Sequence, residues 1–83
     1  MTDQELLESF TRILRDLLGN ESIELEAQTT RADVPSWDSF NYVNFIVIVE
    51  AQLGIKFRIA DVESFETVGD IVAGAQAALR GKR

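Results

Sequence analysis

Apolar residues recur every three or four positions near the start of the chain, and this spacing predicts an amphipathic helix over residues 3–18. The recurring side chains are Leu6, Leu7, Phe10, Ile13, Leu14, Leu17 and Leu18. Thr2 or Asp3 is placed to cap the first turn, and Gly19-Asn20 is typical of a helix end. We therefore expect one face of this helix to pack against the rest of the domain.

Residues 19–38 form a long polar segment with five carboxylates and one arginine, a net charge of −4. Structureless loops of this length are uncommon in compact domains. Pro35 disfavours helix at Val34, the residue before it. We expect the segment to be held against the core by its own apolar residues, namely Ile23, Leu25, Val34 and Trp37.

The segment 39–53 is nearly uncharged, and its periodicity alone does not separate a helix from a buried strand. The β-branched residues of Phe45–Val49 favour a strand. The segment is longer than most strands, however, and it lies between a good N-cap, Ser39, and a good C-terminal stop, Gly54. We therefore predict a second helix that Ser39 caps.

This second helix would carry two apolar sectors, whereas a surface helix normally carries one. The sector expected to face the core comprises Tyr42, Phe45, Ile46, Val49 and Leu53, with Ile48 beside it. The other, called the uncharged strip below, comprises Phe40, Val43, Val47 and Ala51. Glu50 is the only charged residue between Ser39 and Gly54. Two interpretations remain: the other helices enclose this helix, or the strip is exposed and docks on partners.

Residues 55–66 are predicted to form a connection with a short helical turn at Ala60–Ser64. Its expected anchors are Ile55, Phe57, Ile59, Val62 and Phe65. A final helix starts at Thr67, where Thr67-Val-Gly-Asp70 resembles a capping box with Asp in place of Glu or Gln. Its apolar stripe comprises Val68, Ile71, Val72, Ala75 and Leu79. Cations suit the C-terminal end of a helix, where Arg80, Lys82 and Arg83 fall. The pattern predicts one all-α domain over residues 1–83, with three main helices and one short helix.

Composition narrows the chemistry that this domain can perform. The 83 residues include no His and no Cys, so the usual general base, the usual metal ligands and any disulfide are missing, and we expect no metal site. The net charge of −6 argues against binding to nucleic acid and favours basic protein partners. The acidic N-terminus and the short apolar run Phe45–Val49 indicate a cytoplasmic protein without membrane insertion.

Ser39 is the residue whose position suggests chemistry. A hydroxyl at the start of a helix lies at the positive end of the helix dipole, but this chain has no histidine to activate it. A self-sufficient hydrolase would also need an oxyanion hole and a Gly-rich nucleophile elbow, and neither is evident. We therefore expect no catalytic residue, and we expect Ser39 to be modified by another protein.

The residues around Ser39 resemble those of acyl and peptidyl carrier proteins. The signature of that family is Asp-Ser-Leu, or another large apolar residue in the third place, at the start of the second helix, and Asp38-Ser39-Phe40 matches it. Downstream, Gly54-Ile-Lys-Phe57, Ala60-Asp-Val62 and Phe65-Glu-Thr-Val-Gly-Asp-Ile71 resemble the third helix and the start of the fourth. The resemblance extends over nearly the whole chain.

The resemblance implies a four-helix acyl-carrier-protein-like bundle in which Ser39 carries 4′-phosphopantetheine. A separate phosphopantetheinyl transferase would move this group from coenzyme A with Mg²⁺, and Asp38 would contribute to its recognition as well as stabilising the helix. Acyl or aminoacyl groups would then travel as thioesters between a loading ligase and downstream synthase or transferase enzymes. The carrier itself would be a monomer and not an enzyme.

Three departures from the common fatty-acid carrier pattern indicate a specialised pathway. Trp37 stands where many members have a small residue, and Asn41 and Asn44 stand where Asp or Glu is frequent. The resulting partner face is nearly uncharged and comprises Phe40, Asn41, Asn44, Val47, Ile48 and Ala51. It fits fatty-acid, polyketide, modified-lipid, peptide or aminoacyl-transfer systems other than housekeeping fatty-acid synthesis. If exposed, the uncharged strip could also cover an acyl chain. Ser36 does not match the motif.

Two alternatives stay open from the sequence. The chain could be an aminoacyl or peptidyl carrier, which the same serine motif would serve. It could also be an unmodified helical adaptor that keeps the carrier fold and uses its surface for binding alone.

Overall fold

The computed structural model describes residues 1–81 and contains four α-helices and one 3₁₀ helix. The elements are α1 Asp3–Leu18, the 3₁₀ helix Arg31–Asp33, α2 Ser39–Leu53, α3 Ile59–Ser64 and α4 Val68–Gly81. No strand is present within this range. The predicted all-α fold with three main helices and one short helix is confirmed. Arg80 lies in the last turn of α4 as expected, whereas Lys82 and Arg83 fall outside the described residues.

Reciprocal side-chain hydrogen bonds begin both α1 and α4. At α1, the Glu5 amide donates to the Thr2 hydroxyl at 3.1 Å and the Thr2 amide donates to the Glu5 carboxylate at 2.8 Å. At α4, the Asp70 amide donates to the Thr67 hydroxyl at 3.1 Å, while the Asp70 carboxylate accepts from the amides of Glu66 and Thr67. These backbone hydrogen bonds lower the pKa of Asp70. The capping box with Asp in third place is therefore confirmed.

The core lies where α1 meets α2 and α4. Phe10 of α1 and Phe45 of α2 are fully buried, and their rings pack edge to face with centroids 5.6 Å apart. The two rings stabilise the fold because they bury a large apolar area and because an edge-to-face arrangement of aromatic rings is itself favourable. The apolar residues of the loop after α1 are also buried, as predicted: Ile23, Leu25, Val34 and Trp37.

The loop before α2 contains structure that the sequence pattern did not predict. Residues Arg31–Asp33 form a 3₁₀ turn. The Thr30 amide donates to the Asp33 carboxylate at 2.9 Å, which closes this turn in the same way as a helix cap. The acidic loop is therefore locally ordered.

The connection between α2 and α4 packs through aromatic rings, with one predicted anchor wrong. Phe57 and Phe65 lie edge to face with centroids 5.5 Å apart, and a Cβ on Gly74 would come within 2.6 Å of the Phe65 ring. A larger residue at position 74 would therefore force the Phe65 ring to shift. Ile59 was expected to be an anchor, but it opens α3 on its solvent side and is 79% exposed. The short helix is one residue longer than predicted.

Candidate functional site

Asp38, and not Ser39, is the N-cap of α2, so the prediction that Ser39 caps the helix is wrong. Asp38 has an extended backbone, and its Oδ1 accepts from the Asn41 amide at 2.9 Å. Asp and Ser are about equally good N-caps. The carboxylate has the added advantage of a negative charge at the positive end of the helix. Ser39 is displaced by one position and becomes the first residue of α2.

Ser39 is exposed at this position, and so are its two neighbours, Asp38 and Phe40. Its hydroxyl is therefore accessible to another protein at the positive end of a fifteen-residue helix. The site combines an accessible oxygen nucleophile with an adjacent carboxylate and contains no histidine. This arrangement suits modification by an external enzyme better than unaided catalysis.

The loop that leads to Ser39 is tied to α2 by a side chain. The side-chain amide of Asn41 donates through Nδ2 to the Ser36 carbonyl at 3.0 Å. Ser36 has a φ of 70°, a backbone conformation that a residue with a Cβ adopts at some cost. Asn41 was predicted to face a partner, but it is half-buried and also fixes the loop beside Ser39.

Trp37 and Tyr42 lie buried on either side of Ser39 in the sequence. The Trp37 ring packs edge to face against Phe45 at 5.3 Å and tilts against Tyr42 at 6.2 Å between centroids. The Tyr42 hydroxyl donates to the Val62 carbonyl at 2.6 Å and so connects α2 to α3. Burial raises the pKa of Tyr42. The sequence predicts Tyr42 in the core but does not predict its hydrogen bond to Val62. The signal for such a bond is a phenol hydroxyl in an otherwise apolar stripe, because a buried hydroxyl usually finds a partner.

Glu50 provides a second link from α2 to the connection that follows it. Its carboxylate accepts from the Phe57 amide at 2.8 Å. In the sequence, Glu50 stands out as the lone charge of the segment, but its partner is not evident. A single carboxylate in an otherwise uncharged helix is a signal for a specific hydrogen-bond partner.

The uncharged strip of α2 is exposed. Phe40 is 74% exposed and Val43 and Val47 are each 55% exposed, and Ala51 is also exposed. The interpretation in which the other helices enclose α2 is therefore wrong. The sector predicted to face the core is buried at Tyr42, Phe45, Ile46 and Val49 and half-buried at Leu53. Of the predicted partner face, Phe40, Val47 and Ala51 are exposed, while Asn41, Asn44 and Ile48 are half-buried.

Residues 1–81 contain neither a candidate metal site nor a candidate membrane span. No group of three or more carboxylates in that range is placed to hold a metal ion. Within the same range, none of the helices has the length and apolar character needed to cross a membrane. The start of α2 is thus the candidate site that the described residues support.

Comparison with known proteins gives consistent results. No family model matches the chain. An acyl carrier protein of Rhodococcus erythropolis is 31% identical over 75 residues, which are 90% of this chain and 82% of that protein. The meromycolate extension acyl carrier protein of Mycobacterium tuberculosis is 29% identical over 92% of this chain, and the match spans 66% of that protein's length.

A solved structure shares the same fold. The solution structure of a holo acyl carrier protein from Geobacter metallireducens superposes with a TM-score of 0.83 at 31% sequence identity. The match covers 90% of this chain and 86% of the other. A likeness of this extent supports the four-helix fold of the chain.

Proposed function

Because the chain belongs to the acyl carrier protein family, we propose that Ser39 carries 4′-phosphopantetheine and tethers acyl or aminoacyl groups as thioesters. The observation that carries this proposal is the position of Ser39, exposed in the first turn of α2 directly after the capping Asp38. The solved relative is described as a holo acyl carrier protein, which supports a prosthetic group in the family.

The residues at the site fit this group. The Ser39 oxygen would form a phosphodiester bond as the diphosphate bond of coenzyme A breaks, adenosine 3′,5′-bisphosphate leaves and the hydroxyl proton passes to the transferase. The new negative charge would lie at the positive end of α2, where the helix dipole favours it. When bound, the group supplies a terminal thiol, which this chain lacks because it contains no cysteine.

Asp38 has two compatible roles in this account. Its carboxylate caps α2 and fixes the backbone from which Ser39 is presented. It is also exposed, so a separate Mg²⁺-dependent transferase can contact it while modifying Ser39. The chain would thus present the hydroxyl, and the transferase would provide the base and the metal.

The proposed partner face lies on α2 beside the attachment point. It comprises Phe40, Asn41, Asn44, Val47, Ile48 and Ala51, with the exposed Val43 at its edge. No residue of this face is charged, so its contacts would rely on apolar burial. Its partners would be the transferase, a ligase that loads the acyl or aminoacyl group, and downstream synthase or transferase enzymes.

The neutral partner face favours a specialised fatty-acid, polyketide, lipid or peptide pathway. A similar protein that is named for meromycolate extension supports a carrier dedicated to one lipid product. An aminoacyl or peptidyl carrier is the main alternative, since it would use the same serine and the same arm.

An unmodified adaptor is the second alternative. It predicts that Ser39→Ala leaves partner binding and pathway output unchanged. The exposed serine within an intact Asp38-Ser39 pair favours modification, since an adaptor has no use for the hydroxyl.

Mass spectrometry tests the proposal. The protein is incubated with coenzyme A, Mg²⁺ and a broad-specificity phosphopantetheinyl transferase, and we expect the intact mass to rise by one phosphopantetheine group. Ser39→Ala should abolish the gain. Ser36→Ala is the matched control, because it removes a nearby hydroxyl and keeps a Cβ at the same φ; it should be modified like the wild type. An unchanged wild-type mass with several transferases would contradict the proposal.

A further inference from the structure

The loop immediately before α2 makes a tight turn that is strained at its tip. The Trp37 amide donates to the Val34 carbonyl at 3.3 Å, with Pro35 and Ser36 in the two central positions. The φ of 70° at Ser36 gives this turn the character of type II, in which the second central residue is usually glycine. Val34 and Trp37 are buried and fix the two ends of the turn, whereas Ser36 is exposed. The tip thus adopts a conformation that costs a serine free energy and persists only where other contacts stabilise it.

Asn41 connects this tip to the first turn of α2 through two hydrogen bonds. Its side-chain Nδ2 donates to the Ser36 carbonyl at 3.0 Å, and its backbone amide donates to Asp38 Oδ1 at 2.9 Å. Ser39 lies in the sequence between the residues that each of these bonds joins. The two bonds, called the Asn41 clasp below, therefore hold the backbone on both sides of the proposed attachment point.

The amide side chain of asparagine is chemically suited to this clasp, whereas a carboxylate is not. An amide group has two N–H donors, but an ionised carboxylate only accepts, so an aspartate at position 41 could not bond to the Ser36 carbonyl. An aspartate in the first turn would, however, interact favourably with the helix dipole. Asn41 therefore lacks a charge that would stabilise α2 and has instead a bond to the loop beside Ser39.

We propose that Asn41 is a positioning residue for the modification of Ser39, because its clasp holds the backbone of residues 36–39 in the conformation that presents the hydroxyl to the transferase. The Ser39 oxygen must approach the phosphorus of coenzyme A in a defined geometry, and small displacements of a reacting group slow such steps strongly. Asn41 acts through the loop backbone and needs no contact with the transferase for this role. The inference rests on the proposed function, since it concerns the same reaction at Ser39.

Steady-state kinetics with a phosphopantetheinyl transferase, coenzyme A, Mg²⁺ and varied carrier concentration test this role. Asn41→Ala removes the donor without adding a charge, and we expect kcat to fall about fivefold, the effect of one lost hydrogen bond. KM for the carrier should change less than about twofold, because the exposed apolar side chains of α2 stay in place. Gln52→Ala is the matched control, since it removes an exposed amide near the other end of the same helix, and it should leave kcat and KM unchanged. A wild-type kcat for Asn41→Ala would overturn the inference.

A rescue variant separates positioning from direct contact with the transferase. Ser36→Gly removes the cost of the positive φ, so the turn can keep its conformation without the clasp. Added to Asn41→Ala, Ser36→Gly should restore kcat to within about twofold of the wild type, because the two positions act on the same loop conformation. If Asn41 instead contacts the transferase, Asn41→Ala should raise KM and Ser36→Gly should restore nothing. That result would overturn the inference.

Backbone ¹⁵N relaxation measures the clasp in the absence of any enzyme. The amide order parameters of residues 36–39 should fall in Asn41→Ala and recover when Ser36→Gly is added. Unchanged order parameters in Asn41→Ala would show that the clasp does not hold the loop, and would overturn the inference even if kcat falls. A wild-type mass that no transferase raises would instead reject the proposed function, and the positioning role with it, whatever the order parameters show.

Discussion

Helices α1 and α2 pack into the same core, but the surfaces that they expose to solvent differ in charge. Their central rings, Phe10 and Phe45, are both fully buried and contact each other. The exposed side of α1 carries charges, at Asp3, Glu5, Glu8, Arg12 and Asp16. The exposed side of α2 carries Phe40, Val43, Val47 and Ala51 and no charge.

This difference separates residues that the fold requires from residues that it does not. A charged outer face is sufficient for a helix that only packs against a core, as α1 shows. The fold gains little from three large apolar side chains exposed on α2, and such patches mark interaction surfaces in many proteins. We infer that the inner face of α2 serves stability and that its outer face serves contacts with other proteins.

The largest expected effect is on the inner face of α2. Phe45→Ala should lower the free energy of unfolding by about 3–5 kcal/mol, because it removes a fully buried ring and leaves a cavity. Val43→Ala on the outer face should change it by less than about 0.5 kcal/mol. Urea denaturation of both variants measures the contrast. Equal losses would show that the uncharged strip is part of the core.

A charge placed on the uncharged strip should affect binding more than folding. Val47→Glu should lower kcat/KM for the phosphopantetheinyl transferase about tenfold, equivalent to about 1.4 kcal/mol, with little change in melting temperature. Ala77→Glu on the exposed side of α4 is the matched control and should leave kcat/KM unchanged. A large fall in melting temperature for Val47→Glu would instead place Val47 in the core.

The cap of α2 allows stability and recognition to be separated at one residue. Asp38→Ala should cost about 1 kcal/mol of folding free energy, because the Asn41 amide loses its acceptor. Asp38→Asn keeps the capping oxygen and removes the charge, so its stability should be close to that of the wild type. If the transferase contacts the carboxylate, the Asp38→Asn variant should be modified at Ser39 more slowly than the wild type, although its stability is preserved. A modification rate equal to that of the wild type would show that Asp38 serves only as the cap of α2.

The smallest expected effect concerns the cap of α1. The hydrogen bond from the Thr2 backbone lowers the pKa of Glu5 below its usual 4.5. Since the folded-state pKa is the lower one, the stabilisation is complete above about pH 4.5 and is lost as the pH falls through the folded-state value. Glu5→Gln should therefore lower the melting temperature slightly at pH 7 and flatten its acid dependence below pH 4.5. Parallel melting curves for wild type and variant would contradict this.

Local signals predicted most of the helices, because caps and stops are set by neighbouring residues. Gly19 and Gly54 both adopt the left-handed conformation that ends a helix, and Thr67 and Asp70 form the expected box. The cap of α2 was misassigned because Asp38 and Ser39 are adjacent and nearly equal in preference. The choice between them depends on backbone geometry that the sequence does not specify.

Long-range contacts account for the features that the sequence did not predict. Two apolar sectors on α2 were recognised, but which one is buried depends on where α1 and α4 pack. The bond from Tyr42 to Val62 spans twenty positions. The phenol indicates that Tyr42 needs a hydrogen-bond partner, but the sequence does not indicate that this partner is Val62. The same holds for Arg31, which begins the 3₁₀ turn and lies over the Tyr42 ring.

The central claim is that Ser39 is the attachment point of a carrier, and peptide-level mass spectrometry of the protein purified from its native host tests it most directly. We predict that the peptide containing Ser39 carries phosphopantetheine, alone or with a bound acyl or aminoacyl group, and that fragmentation assigns the modification to Ser39 and not to Ser36. A Ser39 peptide that is unmodified throughout growth would contradict the account.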